Sequence, residues 1–385
     1  MNIILFDTER ENLYPLTFTR PISDFRVGIV TIKQKWEFYY KSVSVKTVDY
    51  LSEKFPIKLQ KNNIWVDSSI LPNENLITEI NSLRKGEFLE KEGNLIAVCN
   101  HDVNTSGLNA IESHSEFNKI NDLWDVFSLN GKEINSDFSH LVKGSVGEKI
   151  SKSNTVIGNN PIYLEKGSKV ECSILNSTDG PIYIGEDAEI MEGSMVRGPF
   201  AMCNNSVLKM GSKIYDSTTL GPYCKVGGEV NNSVFFGYSS KSHDGFLGNS
   251  VIGEWCNLGA DTNNSNLKNN YAEVKLWNYK IERFKKTGLK FCGLIMADHS
   301  KCGINTMFNT GTVVGVSANI FGSSFPRNII PSFSWGGASG FTTYKTNKVF
   351  EVASVVMGRR NIEFSDMDKS ILEKVFELTS KYRNY

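Results

Sequence analysis

The chain has 385 residues, a length that suits two domains, or one domain joined to a repeat array, better than a single compact core. Its 42 basic and 42 acidic side chains cancel, and 40% apolar with 22% charged residues is an ordinary globular composition, which excludes both the cationic footprint of a nucleic-acid binder and a disordered chain. No apolar run reaches the roughly 20 residues of a membrane span and the opening MNIILFDTERENLYPLTF has no basic leader, so a cytoplasmic protein without a membrane partner is expected.

An α/β domain is predicted over residues 1–140. Asn2 to Phe6 reads as a buried strand, and apolar runs at Gly28 to Ile32, Ile64 to Val66 and Leu95 to Cys99 alternate with helix-like stretches such as Leu76 to Leu83. Such alternation predicts a largely parallel, Rossmann-like sheet. Asp67 follows one of these runs, where a strand-end carboxylate could hold Mg²⁺ against a triphosphate; a solvated turn is the other reading.

The middle of the chain is periodic. Every sixth residue from 184 is apolar (Ile184, Ile190, Val196, Met202, Leu208, Ile214, Leu220, Val226), a run with a chance of roughly one in a thousand in any one phase. Four residues after most of these stands a small side chain: Ala188, Ser194, Ser206, Ser212, Thr218, Cys224. This is the grammar of hexapeptide repeats, in which three short strands make a coil of about 18 residues and stacked coils bury an aliphatic column, here expected as a left-handed parallel β-helix. The beat returns at Ile252 and Leu258 and again from Met296 through Cys302, Phe308 and Val314 to Ile320, with a rougher version around Ile150, Val156 and Ile162. The repeat domain is therefore set at 141–335.

Within it, residues 267–292 lose the beat and turn polar, basic and aromatic, as expected of a loop ejected between coils to carry function; an irregular coil is the alternative. Residues 336–385 form a tail. The Gly-rich stretch 333–345 reads as the turn out of the solenoid, and Ser365-Asp-Met-Asp368 is a capping-box variant before an amphipathic closing helix carrying Ile371, Leu372, Val375 and Leu378. The seven cysteines have no C-x-x-C pair and read as buried thiols. His243 and His299 are the solenoid's histidines, too few for a three-imidazole zinc site.

Residues 240–266, SKSHDGFLGNSVIGEWCNLGADTNNSN, resemble without a gap the segment S-K-A-x-H-L-x-Y-x-G-D-x-x-I-G-x-x-x-N-x-G-A-G-T of the GlmU-like bifunctional enzymes that make UDP-N-acetylglucosamine. Pro15-Leu-Thr-Phe-Thr-Arg20-Pro-Ile-Ser-Asp24 is similar to the P-L-T-x-x-R-P-K element of sugar-phosphate nucleotidyltransferases. Together with the hexapeptide core, the chain resembles the short alternative form of that enzyme in Bacteroides-like bacteria.

The resemblance implies a base at His243, amino-sugar contacts from Asn257 and Asn266, and an oxyanion donor at the Ala260 amide. Phe246 stands where the family has a tyrosine. The family's basic pair is replaced by Asn231, Asn232 and Ser233, which moves phosphate recognition to Lys241, Lys268 or Lys275. At the front end the strand runs into Phe6-Asp-Thr-Glu-Arg10 without the family's glycine loop, so the phosphates fall to Arg20, Arg26 and Lys33, with Mg²⁺ at Asp67, or else the domain no longer transfers nucleotides. Arg359 and Arg360 could meet coenzyme A phosphates or be a solvated pair.

The implied function is acetylation of glucosamine 1-phosphate from acetyl-CoA by a homotrimer whose site lies between subunits, with the 267–292 insertion reaching a neighbour. A nucleotide would then be coupled to give a UDP-N-acetylglucosamine-type product. The alternatives are a nucleotidyltransferase whose β-helix serves assembly or regulation, and a non-catalytic rod. In the leading reading a neutral imidazole takes the amine's proton as it attacks the thioester, and a fixed amide stabilises the oxyanion; an acyl-cysteine is the competing route.

Overall fold

The computed structural model describes all residues from Met1 to Tyr385. The chain packs into two compact units, one of residues 1–13, 20–25 and 30–122 and the other of residues 14–19, 26–29 and 123–385. No helix is long and apolar enough to cross a membrane.

The first unit is an α/β domain around a six-stranded sheet in the order Val43–Lys46, Asn2–Phe6, Asn63–Asp67, Asn94–Cys99, Glu87–Lys91, Asn109–Glu112. Asn2–Phe6 is buried throughout, as its unbroken apolar run requires, and pairs in parallel with both neighbours. The sheet is mixed where a largely parallel one was expected. Asn94–Cys99 runs antiparallel to the strands on either side of it, because Glu92 and Gly93 both adopt positive φ (51° and 75°) and close a two-residue hairpin. The run Gly28 to Ile32 is no strand: Gly28 has φ +85°, and Thr31 caps the helix Ile32–Glu37 through a capping box with Gln34.

The second unit is a left-handed parallel β-helix followed by two helices. Coils stack in parallel register from Thr155–Ile157 onward, and the six-residue beat becomes the interior: Ile184, Ile190, Val196, Met202, Leu208, Ile214, Leu220 and Val226 all belong to one buried cluster. The corners are held by left-handed residues, among them Tyr223, Tyr238, Trp255 and His299 with φ between 54° and 62°. Their rings stack along the solenoid edge with centroids 5.2, 4.3 and 6.4 Å apart, an attraction that offsets the strain of bulky side chains in this region.

The ejected segment is a hairpin, Lys275–Asn278 against Arg283–Lys286. Val274, Leu276 and Tyr279 bury its base against its own chain, where the Tyr279 ring meets Tyr14, Phe18 and Tyr382 edge-on. The stretch 333–345 departs from the expected turn: Ser334–Gly337 adds another rung in parallel with Asn319–Ile320 and then folds back against Gly340–Thr343. The single expected closing helix is a pair, Thr346–Gly358 and Asp366–Leu378, and the second carries the Ser365–Asp368 capping box. The thiols at 203, 224, 256, 292 and 302 are buried as expected, whereas Cys172 is exposed and Cys99 half-buried.

Candidate functional site

His243 sits on a corner built by a change in coil length. Leu208, Val226 and Lys241 stack in one interior column, and Ile214, Val230 and Leu247 in the next. The corner from Val226 to Val230 is two residues shorter than those above and below, because it is reduced to Gly227 and Gly228. A side chain at Gly228 would come within 2.8 Å of the Gly245 carbonyl, so the corner of the next coil rests directly on it. The Ser242–Gly245 corner therefore projects past the coil beneath, and His243 on it is exposed.

The neighbouring positions gather around this projection. Ala260 lies on the corner of the next coil, stacked through Thr262, whose carbonyl would be 2.2 Å from a Cβ at Gly245. The Ala260 carbonyl accepts the Asn305 N–H, while its own N–H donates to no protein acceptor, an orientation that corner geometry also gives Ile304. Past the corner, the Phe246 ring and the Asn266 amide close together over Gly248, and Asn266 donates to Asn249 Oδ1 at 2.8 Å. Before it, Asn257 is exposed on the outer face, in line with Ser240 and Lys301. The structure thus brings His243, Ala260, Phe246 and Asn266 to one corner and the strand leaving it, with Asn257 on the strand face leading in.

The expected phosphate ligands are distributed otherwise. Lys241 is only 1% exposed, inside the column, where its ammonium donates to the carbonyls of Gly227 and His243 at 3.2 and 2.9 Å. Burial pulls its pKa down to about 8 against the partial support of Asp244, Cys302 and Asp261. It is a structural donor and cannot reach a ligand at the surface. Lys268 is drawn into the insertion by the Glu273 carbonyl at 2.8 Å.

Two cations that sequence reasoning passed over, Lys209 and Lys225, join the expected Arg359 and Arg360 on and beside the coil faces that lead into the corner. Lys225 projects from the face that leads into it and Lys209 from the corner of the coil beneath, and burial followed by like charge from Arg360, Lys209 and Arg359 lowers the Lys225 pKa. Phe364 reaches the ring of His299 (6.5 Å) and that of Phe350 (5.8 Å), which holds the end of Thr346–Gly358 beside the opposite edge of that face, the one lined by Tyr223, Tyr238 and Trp255. None of these four side chains is hydrogen-bonded or ion-paired within the chain. In a protein of zero net charge, an unpaired cluster of four is an anion site in waiting. The Lys209 and Lys225 signal was present in the repeat, as outward residues flanking the apolar beat.

In the first unit, chemistry collects at the C-terminal edge of the parallel strands, the usual location for ligands of such sheets. Asp7 accepts from Arg10 (2.5 Å), Thr47 (2.6 Å), Ser68 (2.8 Å) and the Ile22 amide (3.0 Å). These side chains occupy the place of a glycine loop, and adjacent strand-end carboxylates were the clue to them. Asp67 does not fit a magnesium ligand: one oxygen takes the Ser69 N–H and hydroxyl, and the other is ion-paired with Lys119 at 2.8 Å. Arg20 is buried and paired with Asp24 at 3.0 Å. Arg26, in the second unit, is spent on the Phe236 and Ile29 carbonyls and on Cys203 Sγ, which makes it a structural tie. A cleft of about 600 Å³ between Asn63, Leu83 and His101 opens at the opposite, N-terminal edge of these strands, away from that polar cluster.

With this geometry in view, the comparisons with known proteins divide along the chain. Residues 3–146 match a family model described as sugar nucleotidyl transferase. The match covers the α/β half and stops before the repeats. Among solved structures, the chain is similar to an Arabidopsis UDP-N-acetylglucosamine acyltransferase (16% identity, 61% of this chain and 94% of that one, TM-score 0.24). It is similar also to a UDP-N-acetylglucosamine acyltransferase from Campylobacter jejuni (16% identity, 61% and 83%, TM-score 0.26). No curated protein matches the sequence. The chain therefore has a transferase architecture, a nucleotidyltransferase-like domain followed by a hexapeptide-repeat β-helix.

Proposed function

We propose that the protein acetylates an amino-sugar 1-phosphate of the glucosamine 1-phosphate kind from acetyl-CoA at the His243 corner, and that its front domain serves the nucleotide side of the same biosynthesis. The observation that carries this reading is the exposed, unpartnered imidazole on a corner projecting over a shortened coil, next to a corner whose Ala260 N–H is free to donate. His243 takes the proton of the attacking amine, and the Ala260 amide stabilises the oxyanion that forms on the thioester carbonyl oxygen as the amine adds and that collapses when the C–S bond breaks and the coenzyme A thiolate leaves. Asn257 and Asn266 orient the sugar, and the Lys209, Lys225, Arg359 and Arg360 cluster holds a phosphate of donor or acceptor. Cysteine acylation is disfavoured at Cys224 and Cys292, because burial raises their thiols to about 12 and keeps them protonated near neutral pH.

The test is acetyl transfer from acetyl-CoA to glucosamine 1-phosphate, followed by release of free thiol, in the parent and in His243→Ala. A parent without activity, or a His243→Ala protein that matches it, overturns this reading. The match of residues 3–146 to sugar nucleotidyl transferases favours a second one, nucleotidyl transfer alone with the β-helix as an assembly device. Incubation with UTP, Mg²⁺ and N-acetylglucosamine 1-phosphate separates the two.

A further inference from the structure

The interior column that runs through Val170, Ile190, Leu208 and Val226, and resumes at Leu258, Cys302 and Ile320, is interrupted once, by Lys241. A charge there needs a reason, since an apolar residue would fill the column without loss of solvation. The reason lies in how corners are closed. At three other corners of this edge a hydroxyl three residues on bonds back to a carbonyl: Ser212 to Lys209, Thr262 to Gly259, Thr306 to Gly303, at 2.5, 2.7 and 2.8 Å. The His243 corner cannot use that device. The equivalent residue is Gly245, with φ +116° and no room for a Cβ beside the Thr262 carbonyl, and the shortened corner beneath has only Gly227 and Gly228. Two successive corners therefore lack their hydroxyl, and the lysine ammonium reaches up from the column to carbonyls of both, Gly227 and His243.

We propose that Lys241 is a positioning residue: its buried ammonium ties the carbonyl of the shortened Gly227 corner to that of His243 and so fixes the projection on which the imidazole is presented. The proposal rests on the reading of His243 as the base, and it deepens that reading by naming what holds the base.

The experiment compares the full chain with Lys241→Met, which keeps the length and packs as the column does, with Lys241→Gln, which keeps a donor without the charge, and with Leu258→Met as a packing control in the same column. Two readouts are taken: the acetyl-transfer constants, and the NMR amide shifts and hydrogen exchange of the Ser242–Gly245 corner. Lys241→Met is expected to fold, to lower kcat about 10- to 100-fold with KM for acetyl-CoA within about threefold, and to shift the corner amide signals and speed their exchange. Lys241→Gln, which still donates, should recover part of kcat and of the exchange protection, and Leu258→Met should leave both unchanged. A Lys241→Met protein with unmoved corner amides, or an equal change in Leu258→Met, overturns the proposal. Should Lys241→Met fail to form the solenoid, Lys241→Gln decides by the same criteria. If the parent shows no acetyl transfer, the NMR arm still tests the tie, so failure of the proposed function and failure of the tie remain distinguishable.

Discussion

The strand edge of the α/β unit and the His243 corner of the β-helix hold similar kinds of side chains to opposite ends. At the strand edge the Asp7 carboxylate is satisfied by Arg10, Thr47, Ser68 and the Ile22 amide, and Asp67 is closed by Ser69 and Lys119. At the corner and along the face leading into it, His243, Lys209 and Lys225, with Arg359 and Arg360 near Lys225, have no protein partner. Polar groups that complete each other stabilise a fold, whereas groups that the fold supports and leaves unpaired are available to a ligand. The carboxylates of the first set are closed by the protein, and the second set is open to a ligand, as the proposed function requires.

That contrast can be broken most sharply at its two centres. His243→Ala is expected to lower acetyl transfer by about 10²- to 10⁴-fold, the usual contribution of a positioned base, with the thermal unfolding temperature unchanged. Arg10→Ala should do the reverse, destabilising the α/β unit by about 3–5 kcal/mol in denaturant melts by leaving the buried Asp7 without its cation, while acetyl transfer by the folded fraction stays at the parent rate. An Arg10→Ala protein of parental stability would show that Asp7 does not depend on this cation.

Lys241 sharpens the comparison because it lies between the two classes. Its folded-state pKa of about 8 is below the ordinary lysine value of 10.5, so the native state gives up the proton before the unfolded chain does. Stability from this group therefore rises as pH climbs from about 8 to 10.5, and Lys241→Met should exceed the parent at pH 7 by at most about 3 kcal/mol, an advantage that shrinks across that window. Denaturant melts of both proteins at pH 7 and pH 10 check the sign. The smallest expected effect is at the cation cluster: Lys225→Ala combined with Arg360→Ala should raise KM for a phosphate-bearing substrate about tenfold, less so at high salt, with kcat nearly unchanged. Unaltered KM values for both acetyl-CoA and the sugar phosphate would remove the cluster from the site.

By itself the sequence determined the repeat, the α/β front end and the capped closing helix, because each is written in local terms: a six-residue beat, alternating apolar runs, and a serine three residues before an aspartate. The resemblance at 240–266 singled out His243, Phe246, Ala260 and Asn266, and the tertiary structure gathers them at one corner and the strand leaving it. What only that structure decided is where the beat slips. Val226 and Lys241 are stacked column neighbours, yet the shortened corner between Val226 and Val230, followed by a short step from Val230 to Phe235, puts Lys241 out of phase with a strict count of six, so it read as a surface ligand. The same holds for Arg26 and Asp67, whose charges marked them as ligands until the chain brought Phe236, Cys203 and Lys119 to them from far along the sequence. A residue's type fixes what it can bond, but which partner arrives first, protein or ligand, is a property of contacts between distant segments that no local pattern encodes.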